Sequence, residues 1–300
     1  MHTELAPEKS KAGPCIESRE KYFLMTVDVD GWPSLLRFYN VAHDFSLADQ
    51  QVKVEVGASR LLDLFEQHRV FATFFVTGEM AKRHPKMVKS IRQRGHEIAC
   101  HGLLHLKDEY LATKSEQENR LRKATAIIEQ VSGVRPSGFR APCLRSNQDT
   151  FQALLENGYL YDSSIIPAFI PGYYGKLDLN FRPYWLKDSI CGRRLVEIPV
   201  SVNPLLLVPL SAAWMRNLGE KWVKLGILLN FNMHNPVVLY VHPRDVLTLP
   251  GVKGVPWHLY RNVGLSTIRI LDGILNYVKN LGASFITGSD MAASLQKCGQ

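Results

Sequence analysis

Residues 22–30 read Tyr22-Phe23-Leu24-Met25-Thr26-Val27-Asp28-Val29-Asp30. A short run of apolar and β-branched residues ending in carboxylates predicts a strand. Side chains alternate along a strand, so Asp28 and Asp30 emerge on the same face. Two neighbouring carboxylates at the end of an apolar strand repel each other. They persist when a cation neutralises one or when one keeps a proton.

Working outward, strand-like and helix-like segments alternate. Residues 72–77, 97–100, 138–142, 161–164, 195–201, 237–242 and 284–287 read as strands. Residues 55–69, 79–94, 115–131, 148–157, 212–229, 265–281 and 290–296 read as helices. Gly95, Gly133 and Gly158 lie just past three of them, and Ser115 with Glu118 predicts a capping box. This alternation predicts an α/β fold: a distorted (β/α) barrel with about seven parallel strands and functional groups at their carboxyl ends. Residues 21–298 form one expected domain, preceded by a flexible N-terminal tail over 1–20. Pro167, Pro171, Gly172, Gly175, Pro183 and Gly192 mark a loop or hairpin insertion near 165–194, and a second Pro/Gly-rich loop falls near 246–263.

Composition narrows the partners. The chain has 300 residues, 46% hydrophobic and 21% charged, which is ordinary for a globular protein. Its 36 Lys+Arg outnumber 28 Asp+Glu, a surplus that favours acidic partners. No basic run is interleaved with aromatics, which argues against nucleic acid. The five cysteines are odd in number and irregular in spacing, against a disulfide framework or a Cys-x-x-Cys zinc site. The first 20 residues lack an apolar signal-peptide core, and the longest apolar run, 204–209, is too short for a transmembrane helix. A cytoplasmic location is the expectation. The stretch 205–231 mixes leucines with Trp214, Met215, Trp222, Arg216, Lys221 and Lys224. It reads as a helix packed on the barrel, with peripheral membrane contact as the alternative. The oligomeric state is not legible.

The chemistry sits at the strand ends. His101 and His105 are spaced i, i+4, which on a helical turn places both imidazoles on one face. One carboxylate and two imidazoles make an open zinc-type site with a position left for water. Arg140 at a strand end needs an anion, and Asp28 is available. Asp162 begins the next strand, and His242 ends the apolar run before it. No packing requirement gathers these residue types in this register, so they point to catalysis. His96 reads as a structural donor, and His43, His68, His84, His234 and His258 as surface or loop residues. Cys100 should point away from His101.

In this order the residues resemble the polysaccharide deacetylases of the NodB-homology type, carbohydrate esterase family 4. The five blocks are Thr26 to Asp30; His101 and His105 after Arg94-Gly95-His96-Glu97-Ile98; Arg140-x-Pro142; Tyr161-Asp162-Ser163-Ser164; and Val238-Leu239-Tyr240-Val241-His242. Val29 separates carboxylates that are adjacent in the commonest family pattern, which resembles an Asp-x-Asp intracellular branch. Cys143, and Ser163 with Ser164, stand where aromatics are usual.

The resemblance implies a NodB-like barrel and a metal-dependent hydrolase that removes an N-acetyl group from a sugar. Asp30, His101 and His105 would hold a divalent ion, zinc first, with cobalt, nickel or iron as alternatives. Asp28 would be the general base, held by Arg140. His242 would donate to the leaving amine, oriented by Asp162. Trp32, Pro142 and Tyr240 are the expected substrate contacts, with Tyr173 and Tyr174 as further stacking faces. The partner would be an acetylated carbohydrate or a small amide. Two other readings stand beside this one: hydrolysis of a linear or cyclic amide C–N bond outside sugars, and a carbohydrate-binding protein without turnover. The complete acid, base and metal set argues against the last.

Overall fold

The computed structural model describes residues 5–7, 20–170, 174–176, 180–188 and 193–298. In chain order these form β1 (Leu5–Pro7), β2 (Tyr22–Val29), α1 (Trp32–Phe38), α2 (Phe45–Gln51), α3 (Val54–Gln67), β3 (Thr73–Val76), α4 (Gly78–Arg83), α5 (Pro85–Gln93), β4 (Glu97–Cys100) and α6 (Lys114–Ser132). Next come β5 (Gly138–Phe139), α7 (Gln148–Glu156), β6 (Tyr161–Asp162), β7 (Ala168–Ile170), β8 (Tyr174–Lys176), β9 (Tyr184–Asp188) and β10 (Arg194–Glu197). The chain ends with β11 (Val202–Asn203), β12 (Val208–Pro209), α8 (Ala212–Leu218), α9 (Glu220–Asn232), β13 (Val237–Val241), α10 (Leu265–Asn280), β14 (Ser284–Phe285) and α11 (Gly288–Cys298).

The main sheet runs β1-β9-β10-β6-β5-β4-β3-β2-β13, with β14 also beside β2. From β10 to β13 every pairing is parallel, and so is that of β14. The expected barrel of about seven parallel strands is thus present, with β14 as an eighth. β9 and β1 pair antiparallel at one edge. Leu5–Pro7, expected in a loose tail, are therefore a strand, because β9 leaves a row of amides and carbonyls to be paired. Beyond β10 the chain turns back to the far edge. Ser201 N–H donates to Val238 O at 3.1 Å, and Val238 N–H donates to Ser201 Oγ at 2.8 Å. The sheet is thus curled into a ring that closes through isolated contacts rather than a strand ladder.

Alternation along β2 divides the core. Phe23, Met25, Val27 and Val29 face the helix layer, whereas Leu24 faces inward with Phe75, Ala99, Tyr161, Val196 and Val238. Met291, Ala292 and Leu295 of α11 pack on this inner cluster.

Several boundaries differ from the sequence reading. The helix expected over 79–94 breaks at Pro85, which lacks the N–H needed to continue α4. That over 212–229 breaks at Gly219, whose φ of +91° is left-handed. The capping box on α6 uses Thr113 and Glu116 instead of Ser115 and Glu118: Thr113 N–H and Oγ–H both donate to Glu116 Oε2, at 3.2 and 2.8 Å. The insertion near 165–194 contains the β7–β8 hairpin and β9. The loop near 246–263 carries a 3₁₀ turn at Trp257–Leu259. In 205–231, Met215, Val223, Ile227 and Phe231 pack into the helix-side core, and Leu205 and Leu206 stand exposed. Among the described residues no helix is long and apolar enough to cross a membrane.

One close approach positions the site. Helix α3 lies against the Pro243–Val246 turn, and a Cβ at Gly57 would come within 2.1 Å of Pro243 O. Gly57→Ala, which in an exposed helix would stabilise, should here destabilise by about 1–3 kcal/mol, read by urea denaturation. An unchanged midpoint would show that the turn yields freely.

Candidate active site

Strand β2 delivers Asp28 and Asp30 to the carboxyl end of the ring, where both line one cavity of about 600 Å³. Both are buried. Arg140, just past β5, is fully buried. Its Nη1 donates to Asp28 Oδ1 at 2.7 Å and to Thr26 Oγ1 at 2.9 Å. Its Nε and Nη2 donate to Ser163 O and Oγ at 3.1 and 2.9 Å, and Phe75 stacks beneath the guanidinium at 4.1 Å. Burial pushes Asp28 up, but the Arg140 guanidinium outweighs it and holds the carboxyl below the usual aspartate range.

His101 follows β4, and its Nδ1–H donates to Arg140 O at 2.8 Å. That bond fixes the tautomer and leaves the lone pair on Nε2. The two imidazoles do meet, with ring centroids 5.0 Å apart. They do so without the helical turn expected from their spacing. Gly102 (φ +77°) and His105 (φ +55°) are left-handed, so 101–105 is a loop. Glu109 shapes it by accepting N–H groups from Leu103, Leu104 and Leu106 at 2.5, 3.1 and 3.0 Å. Burial lowers both imidazoles, His105 to about 3, so each is neutral and able to donate a lone pair.

His242 follows β13, and its side chain lies 17% exposed on the cavity wall. The expected contact with Asp162 is absent. The His242 Nδ1 partner is Asp245 Oδ2, at 3.0 Å, which also accepts His242 N–H at 2.8 Å. Asp245 Oδ1 in turn meets Arg216 Nη2 at 3.0 Å. Burial pushes Asp245 up, but Arg216 and His242 hold it far below the ordinary range. Asp162 instead accepts Ser164 Oγ–H at 2.6 Å and lies beside Glu197. The sequence carries the overlooked signal: His242-Pro243-Arg244-Asp245 places a carboxylate three residues after a turn-capping residue.

Arg244 was also missed. Its Nη1 contacts Asp30 Oδ1, and the Arg244 charge outweighs burial in holding Asp30 ionised. Asp30 Oδ2 is buried without a hydrogen bond, although His105 Nε2 lies 3.4 Å away. Among the described residues no three His, Cys, Asp or Glu side chains are gathered as a metal-binding cluster. The donor chemistry nonetheless suits a divalent ion: an unpartnered carboxylate oxygen, a lone pair directed by a bonded tautomer, and a second neutral imidazole.

The expected substrate contacts fare unevenly. Tyr240 lines the cavity. Trp32 is fully buried, packed in the core edge-on to Tyr260, and has no face to offer. Pro142 is buried against the Gly102 turn, and Cys143 takes the wall position after it. Burial raises the Cys143 thiol to about 12. Tyr173 and the Tyr174 side chain lie outside the described residues. Trp214, Trp257, Phe38 and Tyr39 line the cavity instead. His96 accepts the Ala72 N–H at 3.1 Å rather than donating, consistent with burial lowering it to about 4. His68 is buried against Asp272 rather than at the surface. Cys100 faces the helix-side core, away from His101.

One cavity thus gathers an arginine-paired carboxylate, an oriented imidazole and a second carboxylate, groups whose chemistry suits hydrolysis. The family model described as polysaccharide deacetylase matches residues 49–161. The peptidoglycan deacetylase of Helicobacter pylori is 26% identical over 243 residues, covering 70% of this chain and 83% of that protein. A peptidoglycan deacetylase-like protein of Gibberella zeae is 32% identical over 214 residues, covering 64% of this chain and 62% of that protein. A solved Mycobacterium smegmatis structure assigned as a polysaccharide deacetylase superposes with a TM-score of 0.70 at 25% identity, covering 98% of this chain and 96% of that one. Over these residues the chain is similar to the polysaccharide deacetylases.

Beneath the site, Asp162 and Glu197 are both fully buried. Burial raises both, and the Asp162 charge raises Glu197 further, well above its ordinary 4.5. Glu197 is therefore the protonated member. Above pH 4.5 the folded state binds a proton there that the unfolded chain has released, so stability falls as pH rises through the elevated value. Glu197→Gln keeps the donor and has no proton to lose. Its thermal midpoint should fall less than the wild-type one between weakly acidic and alkaline pH. Parallel curves would place the proton elsewhere.

Proposed function

We propose that this chain is a hydrolase that removes an N-acetyl group from a sugar, assisted by a divalent ion. One observation carries the reading: Asp28 and His242 open onto the same cavity as Asp30, His101 and His105. The names of the two relatives point to peptidoglycan as the class of acetylated sugar. The aromatic walls at Trp214, Tyr240 and Trp257 suit the apolar faces of sugar rings.

Asp30, His101 and His105 would hold the ion, which when bound polarises the acetyl carbonyl and makes water more acidic. Arg140 keeps Asp28 ionised and aimed, so Asp28 takes the proton of the attacking water. His242 donates to the departing amine nitrogen. Asp245, clamped by Arg216, fixes the orientation of the His242 ring, the task the sequence had allotted to Asp162. The Asp-x-Asp spacing leaves these roles intact, because both carboxylates share one strand face.

A second reading, hydrolysis of a small linear or cyclic amide, is favoured by one feature. Trp257, Leu259 and Arg261 come from the 246–263 loop and wall the cavity, and the volume falls within the usual range for small ligands.

Acetate release should be followed on N-acetylated peptidoglycan fragments, chitooligosaccharides and cyclic amides, before and after chelation and zinc addition. Turnover of a cyclic amide alone would replace the first reading with the second. Asp28→Asn should lower kcat by about 10²–10⁴-fold on the active substrate. Wild-type turnover in that variant would remove Asp28 as base. His101→Ala should lose bound zinc by elemental analysis, and full occupancy would remove it from the ligand set.

A further inference from the structure

Three buried acids in the site each have their own arginine: Asp28 has Arg140, Asp245 has Arg216 and Asp30 has Arg244. The three arginines are not equivalent. Arg140 is also held by Ser163 O, Ser163 Oγ and Thr26 Oγ1. Arg216 is also held by the carbonyls of Ala212, Leu259 and Arg261, at 3.2, 2.9 and 3.2 Å. Both are nearly or wholly sealed from solvent. The Arg244 guanidinium has only Asp30 as a hydrogen-bond partner among the described residues, its side chain is 12% exposed, and it lines the open cavity. It alone can withdraw without abandoning a backbone carbonyl.

Asp30 cannot stand buried and unpaired. Its Oδ1 is taken by Arg244, and its Oδ2 faces His105 without a hydrogen bond. We propose that Arg244 is a displaceable internal counter-ion: its guanidinium neutralises Asp30 in the metal-free protein, and a divalent ion binds there only by driving it into the cavity. This rests on the reading that Asp30, His101 and His105 receive the ion. Two cations at one carboxylate repel, so Arg244 weakens metal binding and sets its strength. The same residue balances the Asp30 charge beside Asp28, which has Arg140 for its own.

The test uses the whole chain stripped by chelator and titrated with zinc alone by calorimetry. Arg244→Gln should bind zinc about tenfold or more tightly than wild type. Arg261→Gln removes a charge from the same wall, from a residue with no hydrogen bond to Asp30, and should change affinity by less than about threefold. Equal effects from the two variants, or no zinc binding by Arg244→Gln, would overturn the proposal. A zinc-soaked wild-type crystal gives an independent reading if the variant misfolds. The Arg244 guanidinium should be off Asp30, and finding it still on Oδ1 beside bound zinc would overturn the idea equally. No substrate enters these measurements. Tight zinc binding by Arg244→Gln in a protein that releases no acetate would sink the deacetylase reading and leave this one standing.

Discussion

A fully buried arginine inside a parallel barrel is the constraint from which the site follows. Burying a guanidinium costs several kcal/mol unless its N–H groups are met and its charge is balanced. Arg140 meets that demand with Asp28, Thr26, Ser163 and the ring of Phe75. Its main chain works as well: the N–H donates to Cys100 O at 2.9 Å, and the carbonyl receives His101 Nδ1–H. One residue thereby ties together β2, β4 and the segment after β6. It holds Asp28 charged and sets the His101 tautomer in the same stroke. The two-residue strand β5 is short, but it carries the group that its neighbours are built around.

The strand ends were legible because burial on both faces leaves an unbroken apolar run and because side-chain alternation has a period of two. Asp28, Asp30, Arg140 and His242 therefore came out of the sequence in register. What stayed hidden depends on φ and on distant packing. The 101–105 spacing fits a helix, and only the left-handed Gly102 and His105 reveal a loop organised by Glu109. Trp32 looks like a surface platform beside Gly31, yet α1 turns it into the protein. Asp162 and Asp245 are both aspartates next to family-like blocks. Which one reaches His242 is decided by the 3₁₀ turn after Pro243, whose geometry puts Asp245 back onto the ring that caps it.

Charge is arranged differently in the site and in the chain as a whole. The chain as a whole carries a net charge of +8, whereas the three acids of the site are each matched by an arginine. Such matching keeps anions ionised in a place where burial alone would protonate them. The Asp162–Glu197 pair shows the opposite outcome. With its nearest acid for company, Glu197 retains its proton. Two carboxyl pairs in one barrel thus differ in charge because only one of them has a guanidinium for each acid.

The three-residue strand β1 has a consequence of its own. It covers the flank of β9 and contains Pro7, opposite Leu186. Proline has no amide hydrogen, so the outermost row of the sheet is a poor template for an incoming segment from another molecule. Among the described residues, the strand that ends this side of the sheet thus offers one donor fewer to a second molecule.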